Sequence, residues 1–145
     1  MKFDVIGLDH IYISVSNLEQ SEVFYDKVMS LLGFRKGRLS INSEPHRHYY
    51  NRLFNYTIRP AKKDTLIHNP YAPGLHHLCF RVEDCATVDA VAQALLKLGI
   101  EVTPKFYPEY APDYYAIFFS DPDGIRLEVT NFRQERRELY QNWNG

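Results

Sequence analysis

The chain is poor in cysteine: of its 145 residues only Cys79 and Cys85 carry a thiol. Two cysteines build no disulfide framework, and their spacing matches no zinc motif. Charge of one sign is missing too. With 17 basic and 18 acidic residues the net charge is −1, which leaves no electrostatic footprint for nucleic acid or an anionic membrane surface. No apolar run approaches the roughly 18 residues that span a bilayer. The first residues, Met1-Lys2-Phe3-Asp4, lack the apolar stretch of a secretory leader, so a cytoplasmic location is expected. Hydrophobic residues make up 45%, enough for the core of one ordinary domain. Aromatics are plentiful at 14%, with 11 Tyr and 9 Phe. Tyrosine lines pockets and also fills β-sheets.

The chain is written twice. Asp9-His-Ile-Tyr-Ile-Ser-Val15 returns as His76-His-Leu-Cys-Phe-Arg-Val82, 67 residues on. Both segments alternate: Ile11, Ile13 and Val15 take one face, His10, Tyr12 and Ser14 the other. In the second copy Leu78, Phe80 and Val82 oppose His77, Cys79 and Arg81. A helix pattern follows each strand. Asn17 caps the first, whose apolar stripe is Phe24, Val28 and Leu31; Asp84 caps the second, with Val91, Leu95 and Leu98. Gly33 and Gly99 sit where helices stop. Three short strands are expected after each helix. Phe54–Arg59 is the clearest in the first copy. In the second, Tyr114–Phe119 and Ile125–Thr130 flank the turn Asp121-Pro-Asp-Gly124. Ala61–Gly74 reads as a linker and residues 133–138 as a charged surface helix or a loose end.

The expected architecture is therefore α+β: two tandem βαβββ modules, about 5–60 and 74–132, in a single domain spanning 1–145. Paired edge to edge they form a curved mixed sheet with a central cleft. The helices cover the apolar faces, so the opposite faces carry His10 and His77 into the cleft. On the last strand Ile125, Leu127 and Val129 go to the core, and Arg126, Glu128 and Thr130 to the cleft. Two imidazoles and a carboxylate then converge on a divalent metal and leave coordination positions open for water or substrate. Iron(II), manganese(II), zinc and nickel all accept such a set. Tyr12, Tyr115 and Arg126 are the candidate partners of the chemistry, as hydrogen-bond donors or anion binders. Cys79 reads as a small buried apolar residue. By strand parity His76 turns away from His77. His46, His48 and His68 lie in polar, loop-like stretches and read as solvated. The tyrosine-rich segment Tyr107–Tyr115 is either a cover over the cleft or a packed surface loop.

Gly7-Leu-Asp-His-Ile-Tyr-Ile-Ser-Val15, Gly74-Leu-His-His-Leu-Cys-Phe-Arg-Val82 and Asp121-Pro-Asp-Gly-Ile-Arg-Leu-Glu-Val129 resemble the signature strands of the vicinal oxygen chelate superfamily. That superfamily includes glyoxalase I, fosfomycin-resistance thiol transferases, extradiol dioxygenases and bleomycin-binding proteins. The resemblance covers about residues 5–132 and places the metal ligands on His10, His77 and Glu128. It implies one divalent ion per site chelating vicinal oxygens of a small molecule, with lyase, isomerase or transferase chemistry. An iron(II) extradiol dioxygenase and a non-catalytic antibiotic-binding protein are the alternatives. The resemblance also implies a homodimer. Glyoxalase I-like members carry a fourth ligand, often Glu, on the last strand of the first module. Thr57 stands at that position, which departs from the glyoxalase I pattern.

Overall fold

A computed structural model describes residues 1–62 and 66–144. Positions 63–65 of the expected linker lie outside the described residues. The chain divides into two compact units, Met1–His68 and Asn69–Gly145. Among the described residues no helix is long and apolar enough to cross a membrane.

The first unit runs β1 (His10–Val15), α1 (Leu18–Leu31), β2 (Arg35–Ile41), β3 (Glu44–Tyr50) and β4 (Asn55–Pro60). The second runs β5 (Leu78–Val82), α2 (Cys85–Lys97), β6 (Lys105–Phe106), β7 (Tyr115–Ser120), β8 (Arg126–Asn131) and α3 (Gln134–Gln141). Each unit is the expected βαβββ module, and its strands form one four-stranded mixed sheet. The orders are β1-β4-β3-β2 and β5-β8-β7-β6, with the first pair in each parallel and the rest antiparallel.

Capping explains why both helices start and stop where they do. Asn17 and Asp84 have extended backbones, and their side chains accept from Gln20 N–H at 2.9 Å and Thr87 N–H at 2.8 Å. At the far ends Gly33 (φ 84°) and Gly99 (φ 81°) take the left-handed conformation that a Cβ would strain. The next amides then reach back, Phe34 N to Met29 O at 2.9 Å and Ile100 N to Leu95 O at 3.0 Å, which satisfies carbonyls the helix would otherwise orphan.

The buried face of α1 is centred on Leu18, Ser21, Tyr25, Val28 and Met29, whereas Phe24 and Leu31 flank it half-buried. Tyr25 displaces the expected stripe because its hydroxyl has a partner inside the core, the Tyr56 hydroxyl at 2.9 Å. In α2, Val91 and Leu95 are buried as expected, joined by Val88 and Ala92, and the terminal Leu98 is exposed.

Strand β3 corrects the reading of His46 and His48 as solvated loop residues. Glu-Pro-His-Arg-His-Tyr-Tyr has no apolar alternation. It is a strand because Asn42 (φ 51°) and Ser43 (φ 64°) form a two-residue hairpin turn that pairs Ile41 with Glu44. His46 is 1% exposed, with Nδ1 2.9 Å from Glu44 O; His48 is half-buried. His68 is half-buried too, its Nε2 enclosed. Strand β6 is short because Pro104 and Pro108 bracket it and neither can donate to a ladder. The Asp121–Gly124 turn is as read: Asp121 Oδ1 accepts from the Asp123 and Ile125 amides, both at 2.9 Å.

Candidate metal centre

Strand register sets the site of the second unit. Cys79, Glu128 and Phe118 are cross-strand partners on β5, β8 and β7, so they form one row on the face turned away from α2. Leu127 and Val129, pointing the other way, are wholly buried. Glu128 is itself 1% exposed, and both its oxygens have partners. The Tyr114 hydroxyl donates to Oε1 at 2.5 Å, and His77 Nε2 lies 3.2 Å from Oε2. The other ring nitrogen of His77, Nδ1, is 2.7 Å from His76 Nδ1. His76 thus does not turn away: β5 begins at Leu78, and parity has no hold on residues ahead of the ladder.

Three tyrosines close over this row. Tyr107 and Tyr110 stack at 5.7 Å, Tyr110 and Tyr114 meet edge-on at 5.2 Å, and Tyr107 packs on Phe118 at 5.3 Å. Segment 107–115 is therefore packed onto the Glu128 row. Burial and the hydrogen bond to Glu128 raise the Tyr114 phenol well above its ordinary range. Cys79 corrects its reading as buried, since its edge strand leaves the residue exposed. Even so, desolvation around the sulfur and the Glu128 charge push its thiol up, so it is a poor nucleophile.

The corresponding row of the first unit is Tyr12, Thr57, His48 and Gly37. Thr57 is fully buried, its hydroxyl 2.9 Å from His48 Nδ1. His10 begins β1 on this face, exposed, with Nδ1 2.6 Å from Asp9 Oδ2. Tyr12, 46% exposed, lies between the rings of His10 (5.3 Å) and His46 (5.8 Å).

Tyr115 belongs elsewhere. Its side chain points to the helix side of the sheet, where its hydroxyl donates to Asp89 Oδ1 of α2 at 2.6 Å. That bond, with some burial, pushes the phenol up to about 12. The tyrosine at Glu128 is Tyr114, one residue earlier, and it stands just ahead of β7 on the parity of Ala116 and Phe118. Arg126 is half-buried and forms no ion pair among the described residues; the Tyr71 hydroxyl is 3.5 Å away.

The structure thus brings His77 and Glu128 together, and His10 belongs to the sheet of the other unit. Among the described residues no three His, Cys, Asp or Glu side chains are gathered into one cluster. The donor chemistry still suits a divalent ion. His77 turns Nε2 toward Oε2 of a buried carboxylate, and Tyr114 holds the other oxygen. In His10 the bond to Asp9 occupies Nδ1 and leaves Nε2 to donate, the arrangement that orients ligating imidazoles.

The profile of the Glyoxalase/Bleomycin resistance protein/Dioxygenase superfamily matches residues 7–129. The chain belongs to this superfamily. An uncharacterized protein of Bacillus subtilis, YqjT, is 30% identical over 129 residues, covering 84% of the chain and 96% of the relative. The metallothiol transferase FosB of Shouchella clausii is 27% identical over 142 residues, covering 94% and 88%. Among solved structures, a glyoxylase/bleomycin resistance protein/dioxygenase domain from Frankia sp. EAN1pec superposes with a TM-score of 0.73. It covers 90% of this chain and all of that one at 23% identity, a likeness of fold. The superfamily thus includes enzymes among the relatives of this chain.

Proposed function

We propose that this superfamily member is a metal-dependent enzyme acting on a small, oxygen-rich molecule, with His10, His77 and Glu128 holding one divalent ion. The observation that carries this reading is the His77–Glu128 pair. Its facing atoms, Nε2 and Oε2, are 3.2 Å apart, and the opposite ends of both groups are taken by His76 and Tyr114. A bound ion there supplies Lewis-acid polarisation of substrate oxygen. His10 completes the set from the same chain or from a second copy in a homodimer. Tyr12, exposed beside His10, donates a hydrogen bond to a substrate oxygen. Arg126, free of carboxylate partners among the described residues, holds an anionic substrate group. Tyr115, bonded to Asp89, has no part in this.

Lyase, isomerase and transferase chemistry all fit that set, and thiol transfer is favoured on two grounds. The FosB relative is a metallothiol transferase by name, and Thr57, already bonded to His48, offers no fourth carboxylate. The small, charge-balanced chain is expected to work in the cytoplasm.

Elemental mass spectrometry of chelator-stripped, reconstituted protein tests the site. About one divalent ion per chain is expected, lost in His77→Ala and Glu128→Ala and kept in Tyr115→Phe. Full occupancy in His77→Ala would overturn the ligand set. The metal found then directs the assay: thiol addition to fosfomycin for manganese, zinc or nickel, oxygen uptake for iron. A protein that stays metal-free after reconstitution would be a binding protein instead.

A further inference from the structure

Helix α3 has no buried residue, although Leu139 and Tyr140, with Trp143 just past its end, share one face and are 50%, 80% and 77% exposed. The helix is tied down by its polar side. Asp113 Oδ2 accepts from Gln134 N–H at 2.9 Å, and Arg137 donates to the Glu83 carboxylate at 2.7 Å and to the Glu83 and Phe132 carbonyls. Its apolar face is left over a cavity of about 550 Å³ lined by Arg81, Arg136, Leu139, Tyr140, Trp143 and Asn144. That volume lies within the range of small-molecule sites.

The cations of this wall are not equivalent. Arg81 and Arg137 both lie on the Phe132 ring, at 4.1 and 4.3 Å from its centre. Arg137 is neutralised by Glu83. Arg81 and Arg136 form no ion pair among the described residues, and both line the cavity. Two uncompensated guanidiniums beside a Trp, a Tyr and a Leu complement one kind of occupant: an organic anion with an apolar body, its head on the arginines and its body on the rings.

We infer that the cavity beneath α3 is a binding site for a small amphipathic anion, an aromatic or acyl carboxylate, sulfonate or phosphate. It is independent of the metal reading, because none of its residues is a proposed ligand.

Trp143 is the only tryptophan of the chain, so its emission reports on this cavity. The probe is 8-anilinonaphthalene-1-sulfonate, compared with N-phenyl-1-naphthylamine, which has the same rings and no charge. One saturable site is expected, with Trp143 emission quenched as the probe fills it and restored by dodecanoate. The neutral probe should bind at least tenfold more weakly, and so should the sulfonate to the double variant Arg81→Gln/Arg136→Gln. Neither arginine holds an ion pair, so that variant should keep the parent's urea midpoint. Equal affinity for the two probes, or undiminished sulfonate binding to the variant, would overturn the proposal. So would probe binding that falls with rising protein concentration as sedimentation shows dimers, since a second copy would then be the occupant.

Discussion

Where β4 of the first unit carries Thr57, β8 of the second carries Glu128, and the two are flanked in register by Tyr12 and His48 on one side of the repeat and by Cys79 and Phe118 on the other. The frames around them agree in detail. Both have a polar cap, a left-handed glycine, a parallel first pair and a hairpin partner, set by local backbone chemistry that tolerates many side chains. The chemistry differs because it depends on a single row of the pleat. A carboxylate in that row has to be enclosed and satisfied, and Tyr114 and His77 do this for Glu128. A hydroxyl needs one partner, which His48 supplies to Thr57.

The sharpest way to break the comparison is to remove the hydroxyl partner on each side. Tyr114→Phe leaves Glu128 Oε1 without its donor in a nearly fully buried position. It should cost about 1–3 kcal/mol of unfolding free energy, as a shift in the urea midpoint. Thr57→Val frees a half-exposed imidazole that can turn to water, and should cost less than about 1 kcal/mol. Equal losses would mean that the two rows are packed alike and that Glu128 is no special burden on its unit.

Much of the frame was legible because period-two alternation and cap residues act locally. His10, Tyr12, His77 and Glu128 were placed on their faces from alternation alone. Parity fails wherever the ladder has not begun. His76 and His77 precede β5, and Tyr114 precedes β7, so their side chains follow turn geometry and contacts that no spacing encodes. The shift from Tyr115 to Tyr114 is of this kind. A parity count from Glu128 through its partner Phe118 would have chosen Tyr114, but the pairing is a tertiary fact. Strand β3 was illegible for a different reason. Its helix-side residues, Arg47 and Tyr49, are polar-tipped and are satisfied by Glu22 and Asp26, so the buried face shows no apolar pattern.

That polar undersheet gives the units different responses to acid. Burial pushes the Glu22 carboxyl up, but hydrogen bonds and charge from Lys36 and Arg47 outweigh it and hold the group at about 2, against an ordinary 4.5. The folded state therefore binds this proton less readily than the unfolded chain. The resulting stability is complete above about pH 4.5 and drains away as pH falls toward 2. After allowance for solvent screening it amounts to about 1–2 kcal/mol. No such network underlies the second sheet among the described residues. Amide exchange should then show the first unit losing protection earlier than the second between pH 4.5 and 2, and Glu22→Gln should remove the difference. Equal loss in both units would place the acid sensitivity elsewhere.

The caps give the smallest contrast. Asn17 and Asp84 do the same work at equivalent positions, yet Asp84 also accepts from the Thr87 hydroxyl at 2.7 Å and puts a negative charge at the positive end of its helix. The hydrogen bonds from Thr87, side chain first and then backbone, lower its carboxyl below the ordinary value. Asn17→Ala should cost about 1 kcal/mol at any pH, since an amide does not titrate. Asp84→Ala should cost more at pH 7. Its excess over Asn17→Ala should vanish as pH falls through the lowered Asp84 value, because the protonated acid has lost its charge and part of its acceptor strength. Urea unfolding of both variants at pH 7 and pH 3 checks this, and an excess independent of pH would mean that the Thr87 contact, not the charge, separates the two caps.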